Sequence, residues 1–164
     1  MGAANCEVAR VEEAMEMSEA GRLARDKTLQ PEYDLYDRRP DESELEPVVR
    51  AHGLGVINYY SLASGFLSGK YRDAADASKS ARGRGVVDKY LNPRGLQILD
   101  ALDAISDAHQ VTPTQVALAW QIARPGITAP IVSATSLKQL DDLTGATQLT
   151  LTPEQIDQLD QASR

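Results

Sequence analysis

The alternation of short apolar runs with amphipathic helices constrains this 164-residue chain more than any other feature. "EVARVEEAMEMSEAGRLA" places Val8, Val11, Met15 and Leu23 near one face of a helix. "DKTLQP" then reads as a short strand ended by Pro31. "DESELEPVVRAHG" reads as a helix, with Asp41 as N-cap, Glu44 completing a capping box and Gly53 closing the C-terminus. "LGVINYY" is the next strand, apolar on both faces as a buried parallel strand should be. Strands that alternate with helices imply a parallel α/β sheet.

The second half repeats one start signal. "NPRGLQILDALDAISDAHQ" opens with Asn92 as cap and Pro93 at the first helical position, and Leu96, Leu99, Leu102 and Ile105 form its apolar stripe. In "TPTQVALAWQIAR" Thr112 caps, Pro113 follows and Gln115 closes the box. That helix is apolar nearly all round, which predicts burial with Trp120 at its packed centre. "APIVS" is a strand, "SLKQLDDLTGA" a helix boxed by Ser136 and Gln139, and "TPEQIDQLDQA" a last helix capped by Thr152. With a stub at "MGAAN" this makes three to four parallel strands, whose inner face and both edges are left uncovered. Residues 1–164 therefore read as a single partial domain of a larger sheet.

Composition narrows the partners. A net charge of −7 argues against general affinity for nucleic acid or anionic membrane. No apolar run approaches the roughly 18 residues of a membrane helix, and "MGAANCEVARVEEAMEM" lacks the regions of a signal peptide. The single cysteine, Cys6, excludes an internal disulfide, and a cytoplasmic location is expected. His52 and His109 lie far apart in sequence, read as surface helix positions and suggest no metal cluster.

In parallel α/β folds, ligands sit beyond the carboxyl ends of the strands. Here those ends carry Asn5, Gln30, Tyr59-Tyr60 and Ser133-Ala134-Thr135. Amides that both donate and accept suit a carboxamide, and tyrosines offer a flat face to an aromatic ring. The stretch 68–94 reads as a long loop with seven basic and three acidic residues, a local excess of four positive charges. It is either a solvated mobile loop or a basic flap over a phosphorylated ligand, with glycine amides and Lys70 in the grip.

"GVINYYSLASGFLSGKYR", with "LQPEYDLYDRR" before it and "PTQVALAWQIARPGITAPIVSATS" and "SLKQLDDL" after, resembles the C-terminal half of a bacterial aldo-keto reductase over essentially the whole chain. The resemblance implies half of an eight-stranded (β/α) barrel, a TIM barrel, and an NADPH-dependent oxidoreductase that reduces aldehydes and ketones without metal or flavin. Carried onto this sequence, Asn5 and Gln30 would hold the nicotinamide carboxamide and Tyr59 would stack on its ring. Leu62, Gly65 and Lys70 would wrap the pyrophosphate. Thr135, Ser136 and Gln139 would surround the adenosine 2′-phosphate, with Asp142 near the adenine.

The departures matter as much. Ala4 stands where the family has serine, Ser133 where glycine is usual, Leu143 where asparagine is usual, and Tyr60-Ser61 where Ser-Pro is commoner. No residue matches the family's catalytic Asp, Tyr, Lys and His, which lie in the other half of the barrel. The chain is thus expected to be a truncated, cofactor-side half that is inactive alone. Two alternatives stand beside this: a self-complementing half-barrel homodimer, and a non-catalytic NADPH-binding or interaction module. An uncovered half-barrel is also expected to be loosely packed unless a partner covers it.

Overall fold

The computed structural model describes residues 2–39 and 41–164, with Asp41 described in its backbone alone. The expected cap at Asp41 therefore lies outside what is described. Three parallel strands, β1 (Gly2–Ala4), β2 (Thr28–Gln30) and β3 (Gly55–Val56), form a sheet in the order β1-β2-β3. Ala3 aligns with Leu29, and Leu29 with Val56. Strand side chains alternate, so these three present one face together. That face packs on α1 (Val8–Ala20) and α2 (Glu46–His52) through Val11, Met15, Val48 and Val49. Each crossover between strands is one helix, as parallel neighbours require.

The "APIVS" segment is not a strand. It runs beside β3 through Thr128 and Ala129 N–H groups donating to the Val56 carbonyl and Ile131 N–H to that of Asn58, with a single bridge, Val56 to Ile127. Beyond that bridge, residues 129–135 are mostly exposed, so little burial supports a regular ladder. The sheet is therefore three-stranded and does not close into a barrel among the described residues.

A larger core lies on the other helices: α3 (Gly83–Tyr90), α4 (Pro93–His109), α5 (Pro113–Ile122), α6 (Leu137–Gly145) and α7 (Pro153–Ala162). Asn92, Thr112, Ser136 and Thr152 cap α4 to α7 as the sequence predicts, each accepting a backbone N–H three residues on. Gly53 ends α2 in the left-handed conformation, at φ 60°. Trp120 is fully buried at the core's centre, stacked on Tyr33 at 5.6 Å.

Five further expectations need correction. Leu23 lies past the end of α1 and is exposed, and Leu96 sits at the edge of the α4 stripe, whose buried face adds Ile98, Ala101 and Ser106 instead. The helix expected from Asp41 starts at Glu46, behind a wide π-type turn over Asp41–Leu45. Gln139 does not reach back to the Ser136 amide; its Oε1 accepts the Thr135 N–H at 2.7 Å. Residues 68–94 are not a loop. They fold into the end of one 3-10 helix (Ala63–Ser68), a second (Ala74–Lys79) and α3, because Tyr71, Val86 and Tyr90 are buried in the main core.

Candidate functional site

The loop that leaves the carboxyl end of β3 and the loop around Ile131 face each other here, and one residue joins them. Ser61 Oγ donates to the Ile131 carbonyl at 3.0 Å, while the Ile131 N–H donates to the Asn58 carbonyl at 2.8 Å. Beneath this stitch, the buried Asn58 Nδ2 donates to the Tyr33 carbonyl and to Gln121 Oε1, both at 2.7 Å. Gln121 Nε2 in turn donates to the Ser61 carbonyl at 2.6 Å. A buried polar network of this kind fixes backbone position, since each lost partner would leave a desolvated group; Asn58 Oδ1 alone among its side-chain atoms has no partner among the described residues. Nothing in the local sequence marks Asn58 or Gln121 as partners, for they are 63 residues apart.

The stitched loops enclose an open cleft of about 560 Å³. Its walls bring together five of the residues singled out in the sequence: Leu62, Gly65, Lys70, Thr135 and Gln139. They also bring Tyr60 and Ser133, noted in the sequence only as positions at strand ends, and Ser64, Ser80 and Arg82, which the sequence did not single out as site residues. Arg82 was visible only as one of seven basic residues in the stretch 68–94; the fold of α3 behind it selects it.

The floor of the cleft is a run of left-handed backbone. Tyr60, Ala63, Ser64 and Gly65 have φ of 55°, 48°, 56° and 91°. Three consecutive residues in this region are rare outside glycine and mark a backbone bent to a purpose. The Ser61 and Leu62 N–H groups find no acceptor among the described residues. Unpaired amides in such a turn make a concavity suited to an anion. Lys70 Nζ lies over it, 3.3 Å from where a Gly65 Cβ would stand.

Charge completes the geometry. Four of the seven basic residues in 68–94 are already engaged: Arg72 with Asp103 at 2.7 Å, Lys79 with Asp76 at 2.6 Å, Arg84 with Asp88 at 3.9 Å, and Lys89 with Asp37 at 2.7 Å. Lys70 and Arg82 have no carboxylate within ion-pair range among the described residues, and both line the cleft. Two unanswered cations, two unpaired amides and a cluster of hydroxyls make a cradle for a phosphorylated ligand.

The remaining sequence candidates lie elsewhere. Asn5 and Gln30 stand at the ends of β1 and β2, with the Asn5 N–H donating to the Gln30 carbonyl at 3.5 Å. Tyr59 Oη donates to Asn5 Oδ1 at 2.8 Å, which leaves the Asn5 Nδ2 donor unused. This cluster adjoins the cleft through Tyr60, whose ring meets that of Tyr59 at 5.2 Å. Ser136 caps α6 and does not line the cleft. Asp142 accepts from Lys138 at 3.4 Å along α6, so that pair is spent on the helix surface.

Tyr33, Tyr59 and Tyr90 are not poised as acids. Burial pushes the Tyr33, Tyr59 and Tyr90 hydroxyls up from their ordinary value, with a neighbouring carboxylate adding to the rise in each case. An activated general acid requires the opposite shift.

A family model described as the Aldo/keto reductase family matches residues 1–164. The chain is 33% identical over 141 residues to a probable voltage-gated potassium channel subunit beta of Arabidopsis thaliana, covering 80% of this chain and 42% of that protein. It is 29% identical over 138 residues to the L-glyceraldehyde 3-phosphate reductase of Escherichia coli (strain K12), covering 80% and 40%. It is 32% identical over 127 residues to an uncharacterized oxidoreductase of Bacillus subtilis (strain 168), covering 77% and 37%. The chain thus spans about two fifths of the length of the curated relatives it matches. Matched from its first residue to its last, this chain belongs to the aldo/keto reductase family.

Proposed function

We propose that this chain holds NADPH and supplies the cofactor-binding side of a carbonyl reductase, without carrying the proton-transfer machinery itself. The observation that carries the reading is the cleft in which Lys70 and Arg82, both without carboxylate partners among the described residues, face a left-handed loop with unpaired amides. Such a cradle fits a pyrophosphate or a 2′-phosphate. The cofactor, when bound, supplies a hydride to a carbonyl carbon.

This chain's residues would bind and orient. Lys70 and the Ser61 and Leu62 amides would neutralise the pyrophosphate, with the Gly65 backbone close beneath it. Thr135, Gln139 and Arg82 would meet the adenosine end, Arg82 replacing the cation that "SATSLKQLDD" does not offer, since Lys138 is paired with Asp142. Asn5 Nδ2 and the Gln30 amide would grip the carboxamide, and the Tyr59 ring would carry the nicotinamide. Ser136 would act on the site as the cap that fixes the start of α6, and Asp142 through its pairing with Lys138. Carbonyl reduction also needs a proton donor, and the upward shift of Tyr33, Tyr59 and Tyr90 argues against these three.

Calorimetric titration of the purified chain tests this reading. Saturable binding of NADPH, tighter than NADH, is expected. Lys70→Gln and Arg82→Gln should each weaken NADPH about tenfold, the equivalent of about 1.4 kcal/mol. Only Arg82→Gln should erase the preference over NADH. No heat with either nucleotide, or wild-type affinity in both variants, would refute the proposal. Aldehyde reduction by the chain with Tyr33, Tyr59 and Tyr90 all changed to Phe would show that a proton donor has been missed.

A further inference from the structure

A separate cleft of about 300 Å³ opens between the 36–39 turn, the start of α4 and the end of α7, lined by Tyr36, Asp37, Arg38, Arg39, Arg94 and Arg164. Four guanidinium groups around one cleft are unexpected in a chain of net charge −7. They are not equivalent. Arg38 is answered, by Glu42 and Asp160 at 2.9 Å each. Arg39, Arg94 and Arg164 have no Asp or Glu side chain within ion-pair range among the described residues. Asp37, the one Asp or Glu side chain in the lining among the described residues, is taken up by Lys89 at 2.7 Å and by the Tyr90 hydroxyl at 3.2 Å.

We propose that this cleft is an anion site that takes a phosphate-bearing small molecule. Three guanidinium groups against at most the one main-chain carboxylate of Arg164 leave an excess of positive charge, and a bound dianion removes that cost. The site is also partly set in advance. Arg94 lies over the Tyr36 ring at 4.4 Å, and donates Nη2 to the Ser163 carbonyl at 2.6 Å and Nε to the main-chain oxygen of Arg164 at 3.1 Å. The Tyr36 hydroxyl is held in turn by Asn92 Nδ2 at 2.7 Å. A guanidinium fixed on an aromatic face with two of its donors anchored loses little freedom when a ligand meets the rest of its fork. Arg94 is also the second residue of the 17-residue α4, where the helix dipole favours an anion. Arg39 and Arg164 are exposed and line the same cleft, so both side chains are free to turn toward a ligand there. Guanidinium forks match the paired oxygens of a phosphate. The acidity of the rest of the chain disfavours a long polyanion such as nucleic acid.

The inference stands apart from the NADPH reading, and its test must exclude the other cleft. In a Lys70→Gln/Arg82→Gln background, the full chain is titrated with inorganic phosphate at constant ionic strength while the arginine Nε–Hε resonances are followed by NMR. Saturating shifts of Arg94 and Arg39 are expected, weakened about fivefold by Arg39→Gln or Arg164→Gln and unchanged by Lys138→Gln. Both test positions are exposed, so thermal melts should match the parent. Linear shifts that never saturate, or equal binding by Arg39→Gln and Arg164→Gln, would mean an adventitious ion only and would overturn the proposal.

Discussion

Asp34 is wholly buried, and its two oxygens lead different lives. Oδ1 accepts the Tyr36 N–H at 2.7 Å and the Asp37 N–H at 3.0 Å, whereas Oδ2 has no partner among the described residues. Burial pushes the carboxyl up from 3.8 to about 7; the two amides pull it down, and Asp37 and Glu32 raise it further. A carboxyl raised on folding is easier to keep buried when protonated. Its stabilising state is thus fully present below about pH 3.8, is lost as pH rises to about 7, and changes no more above that. Asp34→Asn keeps an acceptor for the two amides and removes the titration. Three units are worth about 4 kcal/mol, from which an unpaired Nδ2 donor takes back about 1–3. Urea unfolding should therefore find the variant about 1–3 kcal/mol more stable than the parent at pH 8 and no more stable at pH 3.5. An equal difference at both pH values would refute the assignment. Gly65 makes a second residue-scale prediction. At φ 91°, with Lys70 Nζ 3.3 Å from a new Cβ, alanine would be strained and would displace the ammonium. Gly65→Ala should cost about 1 kcal/mol of stability and weaken NADPH several-fold. Unchanged NADPH affinity in a folded variant would separate Lys70 from the ligand.

Helix starts were legible because capping is a local code: Asn92-Pro93, Thr112-Pro113 and Thr152-Pro153 each state their position within four residues. The stretch 68–94 was not legible, because what folds it is remote. Arg72 is tied to Asp103, Lys89 to Glu32 and Asp37, and the Tyr90 ring stacks on Phe66 at 5.5 Å. Its many charges read as a solvated mobile loop or a ligand-facing flap, yet two of them, Arg72 and Lys89, serve this docking. The "APIVS" run failed in the opposite direction, since β-branched composition cannot make a strand where burial is slight. Likewise, Gly65 and Lys70 could be named from sequence, but Arg82 could not be chosen from its basic neighbours until α3 placed it. The junction of α3 and α4 is testable. A Cβ on Gly95 would collide with the Tyr90 carbonyl oxygen and stand 3.0 Å from the Phe66 ring. Neither neighbour can give way without opening the core. Gly95→Ala should cost about 2–3 kcal/mol by urea unfolding, although alanine is the better helix former at an open site. A neutral or stabilising result would mean that the two helices do not meet so closely.

At the scale of the molecule, distant parts are held by a ring of four charges around one indole. Arg38 and Arg124 lie over the Trp120 ring at 5.0 and 5.1 Å, and each pairs with both Glu42 and Asp160 at 2.9–3.0 Å. The Tyr33 hydroxyl donates to Glu42 at 2.8 Å and Trp120 Nε1 to Asp160 at 2.9 Å. The ring joins Arg38 and Glu42 after β2, Trp120 in the last turn of α5, Arg124 two residues past its end, and Asp160 on α7. It therefore ties the segments leaving the sheet to the helical core. Two cations and two anions cancel, so the ring adds geometric specification more than net stability. Removing one member is different, because the others remain half-buried and uncompensated. Burial alone would raise the Asp160 carboxyl, but the Trp120 hydrogen bond and the Arg38 and Arg124 charges outweigh it and hold the group below its ordinary 3.8. Lowered on folding, it stabilises above the unfolded value and loses that contribution as pH falls through the folded one. Asp160→Asn should thus cost about 2–4 kcal/mol at pH 7, and the cost should shrink steadily below pH 3.8 as the parent carboxyl is itself protonated. Asp34 and Asp160 pull the pH profile in opposite directions, so the parent should be more stable at pH 4 than at pH 8 and weaken again at pH 2. A penalty for Asp160→Asn that persists undiminished at pH 2 would mean that the indole bond and packing, rather than charge, hold α7 in place.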